Sequence, residues 1–187
     1  MKCSMKKVTV LLADGFEEIE ALTVVDLLRR AKVYVDTVSI TDDYTVRGAH
    51  GIPVQTEDLI TEIDFKESDM IVLPGGMPGT TNLKEDENVR KAVQEAYDDG
   101  RYVAAICAAP TILADMGLLK GKRATCYPDM ESEIEDAYLT GAPVATDENI
   151  ITSQGVGTAI DFALKLIEVL ISEEKAVEIA DSIVYQR

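Results

Sequence analysis

The chain has 187 residues, 47% hydrophobic and 5% aromatic, with 34 acidic residues against 18 basic ones and a formal charge of −16. This length and apolar content suit one soluble α/β domain with a full core and exclude a disordered chain. The charge argues against nucleic-acid and anionic-membrane partners, and neither a membrane span nor a signal-peptide pattern is visible.

Lys7–Leu12, rich in β-branched residues, predicts a first strand that stops at the turn signal Asp14-Gly15. Ala21, Val24, Val25, Leu28 and Ala31 then recur at helical spacing. Glu17, Glu18 and Glu20 lie in or just before the first turn, and Arg29 and Arg30 in the last, each suited to the helix dipole. Val33–Ile40 predicts a second strand, so the chain opens β-α-β and implies a parallel sheet. Thr45–Thr56 reads as a hairpin or edge excursion. It carries the only histidine, His50, which is read as a solvated loop side chain.

Asp69–Leu73 predicts a third, buried strand running into Pro74-Gly75-Gly76-Met77-Pro78-Gly79. The paired glycines there let backbone N–H groups approach a ligand. Asp86–Asp99 is an amphipathic helix with Asp86 as N-cap and Gly100 closing it. Val103–Ile106 is an apolar strand that ends on Cys107, and Pro110–Met116 follows as a helix stopped by Gly117. Arg123–Tyr127 reads as a short strand and Pro128–Tyr138 as an acidic helix or loop. Val144–Thr146 and Ile150–Thr152 read as late strands. A second glycine turn at Ser153–Thr158 leads into a helix over Ile160–Ile171, and Ser172 starts a last helix to about Ile183. No repeat or linker interrupts this, and one domain over residues 1–187 is expected.

Alternating strands and helices of this kind describe a doubly wound α/β sandwich, in which ligands bind at the carboxyl ends of the strands. Asp14–Glu20, Pro74–Gly79 and Cys107 all fall at such ends. A cysteine at a strand-to-helix junction meets outward-pointing N–H groups that favour the thiolate. Cys107 is therefore the candidate nucleophile, with Glu17 or Glu20 as proton shuttle and the amides of Gly76 and Ala108 as an oxyanion pocket. The other thiols, Cys3 near the start and Cys126 in a short strand, are not assigned roles. Three cysteines at this spacing make neither a disulfide framework nor a zinc pattern, which points to a reduced, cytoplasmic protein.

The segments D-G-F-E-E-I-E (14–20), V-L-P-G-G (72–76), A-A-I-C-A-A-P (104–110) and T-S-Q-G-V-G-T-A-I-D-F-A-L (152–164) together resemble the DJ-one/PfpI (ThiJ-like) superfamily. The likeness is nearest to the branch that includes the Parkinson-disease-linked member and bacterial chaperone-like relatives. The resemblance implies a flavodoxin-like three-layer α/β/α sandwich with a mostly parallel sheet, a cysteine nucleophile elbow and a homodimer. It implies Cys107 and Glu20 as the reacting pair, Gly76 and Ala108 as the amide pocket, and Glu17 and Arg30 near the site or the dimer interface. The implied activities are cofactor-independent, metal-free glyoxalase or deglycase action on methylglyoxal or its protein adducts, oxidation sensing through a Cys107 sulfinate, and chaperoning of misfolded protein. Two departures bear on mechanism. Ala108 stands where peptidase-like members have a histidine, so a Cys-His peptidase is not expected. Tyr127 stands where the branch has another histidine, and a phenol is a poor base near neutral pH, so carbonyl chemistry is expected to be weak.

Overall fold

The structure, a computed structural model, describes residues 5–186. Strand β1 (Lys7–Leu12) passes through a turn into helix α1 (Glu18–Arg30), which returns to β2 (Tyr34–Ser39). A hairpin of β3 (Thr45–Arg47) and β4 (Pro53–Gln55) stands outside the main sheet, and β5 (Asp58–Leu59) adds a short edge to β2. The chain then crosses to β6 (Met70–Leu73), α2 (Gly79–Glu85), α3 (Glu87–Asp98), β7 (Tyr102–Ile106) and α4 (Pro110–Asp115). After the small ladder of β8 (Arg123–Ala124) with β9 (Tyr138–Leu139) come β10 (Val144–Asp147), β11 (Ile150–Ser153), α5 (Ala159–Leu170) and α6 (Glu173–Ser182).

The seven-stranded sheet has the order β10-β11-β7-β6-β1-β2-β5 and is parallel throughout except for β10, which runs antiparallel to β11. Its two faces are both buried, as parallel sheets require. Val8, Val10, Leu12, Met70, Val72 and Ile106 pack against the α1 and α5 side, with Leu28 and Phe162. The alternate residues, Leu11, Ile71, Leu73, Val103 and Ala105, pack against α3 and α4 through Val93, Ala96 and Ile112. The result is the expected flavodoxin-like three-layer sandwich. Its five central parallel strands follow the order β2-β1-β6-β7-β11, with the direction of winding reversing between β1 and β6. That reversal opens a crevice at the carboxyl ends of β1 and β6, beside the end of β7.

The caps follow the chemistry of their side chains. The Asp86 carboxylate accepts from the Val89 N–H at 2.9 Å and the Ser172 hydroxyl from the Lys175 N–H at 3.2 Å. Two elements differ from the sequence expectation. Helix α2 begins on Gly-Thr-Thr-Asn, poor helix formers, and is held by tertiary contacts: Leu83 is fully buried, and the Asn82 side chain donates to the Asp14 carbonyl at 2.9 Å. The strand expected over Arg123–Tyr127 stops at Ala124. Beyond it the Thr125 N–H donates to the Thr152 hydroxyl and the Tyr127 N–H to the Cys107 carbonyl, so that backbone is committed to the site instead of a ladder. The acidic segment after Pro128 forms a 3-10 turn over Pro128–Glu133.

Candidate functional site

Cys107 follows the last residue of β7 and adopts φ +65°, a left-handed conformation that a side-chain-bearing residue rarely takes. It is held there from both sides. Its N–H donates to the Ser153 carbonyl at 2.9 Å, and its own carbonyl accepts from the Tyr127 N–H at 2.8 Å. The loop after β6 passes so close that a methyl group on Gly75 would lie 2.6 Å from both the Cys107 Cβ and the Glu20 Oε2. Gly76 takes φ +93°, and a methyl group there would meet the Glu17 nitrogen at 2.4 Å. Neither glycine can carry a side chain without displacing the site.

Glu20, the third residue of α1, is completely buried. One carboxyl oxygen accepts the Gly75 N–H at 2.9 Å, the other makes no hydrogen bond, and the carboxyl group stands beside the Cys107 thiol. Burial pushes the Glu20 carboxyl up to about 7, assisted by the nearby charge of Glu17 and opposed by the hydrogen bonds to Cys107 and Gly75. Burial and the Glu20 charge likewise push the Cys107 thiol up to about 12, against the pull of the Ala108 and Gly76 amides aimed at its sulfur. The expectation of a lowered thiol from a helix N-terminus is thus corrected. Helix α4 is only six residues long, and desolvation and the adjacent Glu20 carboxylate outweigh the two backbone amides at the sulfur.

The structure brings Cys107, Glu20, Gly76 and Ala108 together, with Tyr127 over the opening. A point beside Gly155 lies 3.7 Å from the Tyr127 ring, 3.8 Å from the Cys107 Sγ and 3.9 Å from the Glu20 Oε1. The missing side chain of Gly155 therefore leaves room directly over the sulfur. Glu17 contributes through its backbone, donating to the Gly75 carbonyl at 2.9 Å. Arg30 is not brought to this group. It stands at the far end of α1, about 18 Å along the helix from Glu18, in an exposed ion pair with Asp26.

Gly75 and Gly155 are additions to the residues picked out above, and their signal was present in the two glycine turns. His50 is solvent-exposed as expected, but it is not without partners. Its ring Nδ1 lies 2.8 Å from Glu18, whose other oxygen accepts the His50 backbone N–H. Cys126 is buried on the opposite side of the sheet, with its sulfur on the Tyr127 carbonyl, and burial raises its thiol to about 11. Cys3 lies outside the described residues.

A cysteine at a left-handed elbow, at the winding reversal of a flavodoxin-like sheet and facing a buried glutamate, defines a class of α/β protein with a cysteine–glutamate pair in place of a Cys-His dyad. Residues 6–169 match the DJ-1/PfpI family, and the chain belongs to it. It is 40% identical over 186 residues to the DJ-1 homolog B of Arabidopsis thaliana, covering 98% of this chain but 42% of that protein. It therefore spans less than half the length of that relative. It is 34% identical over 182 residues to the glutathione-independent glyoxalase DJ-1 of Schizosaccharomyces pombe, covering 91% of this chain and 94% of that protein. The solved structure of oxidized Toxoplasma gondii DJ-1 superposes with a TM-score of 0.92 at 36% identity, covering 97% of this chain and all of that one. Among the described residues no helix is long and apolar enough to cross a membrane.

The raised Glu20 carboxyl makes stability depend on pH. The unfolded chain releases this proton near the ordinary value of 4.5, the folded chain near 7, so stability is lost as pH rises through that window. Glu20→Gln keeps an acceptor for Gly75 without the charge. It should be more stable than wild type at pH 8 by roughly 3 kcal/mol, because each tenfold change in proton affinity is worth about 1.4 kcal/mol. The gap should close toward pH 4.5. Urea denaturation at the two pH values checks this.

Proposed function

We propose that the chain acts on small α-oxoaldehydes such as methylglyoxal, without a cofactor. The observation that carries this reading is the buried Glu20 facing Cys107, with a carboxyl that exchanges its proton near neutral pH. Cys107 passes its proton to Glu20 and adds to the aldehyde carbon. The developing alkoxide faces the Gly76 and Ala108 amides. The hemithioacetal then shifts a proton from C1 to C2, relayed by Glu20, to give a lactoyl thioester. Water hydrolyses this to lactate and returns the thiol. The electrons balance within the substrate, since C1 is oxidised and C2 reduced. Glu20 serves as acid and base in turn, with no histidine to share the work, so turnover is slow. The name of the Schizosaccharomyces pombe relative supports this reading. Protein adducts of methylglyoxal are a second substrate of the same chemistry, and a reducing compartment such as the cytoplasm suits an unpaired reactive thiol.

Lactate formation from methylglyoxal should fall to the uncatalysed rate in Cys107→Ala and drop about 100-fold in Glu20→Gln. Equal rates in wild type and Cys107→Ala would remove the nucleophile from the account.

The same pocket favours a second reading, oxidation sensing. What supports it is the pair of amides that hydrogen-bond the Cys107 sulfur, which with a protonated Glu20 would hold the oxygens of a sulfinate. Peroxide should add two oxygens to Cys107, by intact mass and peptide mapping, and less readily in Glu20→Ala. Prior oxidation of Cys126 would defeat this reading. A chaperone role would follow from such a sensor.

We also infer a homodimer. Ile19 and Leu22, three residues apart on one face of α1, and Ile52 beside the hairpin tip are exposed apolar side chains on neighbouring elements. Light scattering should give twice the chain mass for wild type and the single-chain mass for Ile52→Asp. A monomeric wild type would overturn the inference.

A further inference from the structure

The fold assembles a second group of chemically capable side chains beside the Cys107 pocket. The β3–β4 hairpin folds back on the start of α1 through hydrogen bonds from the Gly15 N–H to the Arg47 carbonyl and from the Ala49 N–H to the Phe16 carbonyl. This sets His50 over Glu17 and Glu18, residues more than thirty positions away in the chain. One ligand atom from each of the three lies within 4.8 Å of the others. We propose that Glu17, Glu18 and His50 bind a divalent transition-metal ion of the zinc type.

The spacing suits such an ion. The His50 Nδ1 is 2.8 Å from Glu18 Oε2 and 3.6 Å from Glu17 Oε2. A tetrahedral zinc with bonds of about 2.0 Å holds its ligand atoms about 3.3 Å apart, between those two distances. The Glu18 carboxylate is already aimed. Its Oε1 accepts the His50 backbone N–H at 2.8 Å, leaving Oε2 for the metal, the kind of outer hydrogen bond that orients metal ligands. Gly48 lets the hairpin lie against that carboxylate, since a methyl group there would collide with it.

The charge balance calls for a cation. Only 6% of the Glu18 side chain and 12% of the Glu17 side chain is exposed, in a chain of formal charge −16. Among the described residues His50 is the one ion-pair partner either carboxylate has, and the Glu17 carboxylate accepts no hydrogen bond. Two largely buried carboxylates side by side are stabilised more by a dication than by one imidazole. One nitrogen with two oxygens favours zinc, cobalt or nickel over calcium and magnesium, which need more oxygen ligands. Three protein ligands leave a fourth position for water.

The test uses the full chain without a polyhistidine tag, titrated with Zn²⁺ by calorimetry and with Co²⁺ by visible absorption. One ion should bind per chain, with cobalt d–d bands and no thiolate-to-cobalt charge-transfer band. Affinity should fall about 100-fold or more in His50→Ala and in Glu17→Gln, the latter a carboxylate with no hydrogen bond to lose. Cys107→Ala should bind as wild type does. Absence of saturable binding, binding that survives both ligand substitutions, or a thiolate band would overturn the proposal.

Discussion

The structure of the site depends on one backbone conformation, the left-handed Cys107 at the end of β7. A side-chain-bearing residue held there costs roughly 1–2 kcal/mol and persists only where its surroundings fix it. Here Ser153 and Tyr127 take its N–H and C=O, and Gly75 supplies the empty space that its Cβ requires. A conventional strand exit would continue the pleat and turn the sulfur away from the crevice. The elbow directs it to the winding reversal of the sheet, where α1 delivers Glu20.

That placement sets the electrostatics. Thiol and carboxyl each resist ionising in a buried site, and the two negative charges together are strongly disfavoured. A pair with one proton left has two arrangements, carboxylate with thiol or carboxylic acid with thiolate. Moving the proton between them leaves the net charge of the site unchanged, so no second charge is desolvated. The amides of Gly76 and Ala108 favour the thiolate arrangement, and the Gly75 amide favours the carboxylate. On the proposed mechanism nucleophile generation is such an internal transfer, uphill from the resting thiol and carboxylate and assisted by the two amides at the sulfur.

Much of this was legible in the chain. The strand-end positions of Asp14–Glu20, Pro74–Gly79 and Cys107 followed from apolar runs and turn residues, and parallel topology alone brings such ends together. The sign of the thiol shift was not legible, because it depends on how deeply Cys107 and Glu20 are buried against each other, a tertiary fact. Helix α2 was hidden for a related reason: its weak local preference is overridden by Leu83 and Asn82. The His50–Glu18 contact lay beyond pattern reading altogether, since a hairpin tip can fold to either side and spacing carries no mark of which.

The residues around the pair limit the chemistry it can do. A peptidase needs a base that takes the thiol proton and an acid that returns it to a poor leaving group, and a neighbouring histidine supplies both. Here Ala108 and Tyr127 occupy the two positions from which the family resemblance would have supplied an imidazole, and the sole histidine is tied to Glu18. Glu20 is left to move every proton, and a carboxylic acid poised near 7 is best matched to proton shifts between adjacent carbons and oxygens. A position beside Gly155 lies within 4 Å of the sulfur, the Glu20 carboxyl and the Tyr127 ring. On the function proposed above, geometry and acidity point the same way, toward compact, electrophilic carbonyls that need a thiolate and one proton relay, and no strong base.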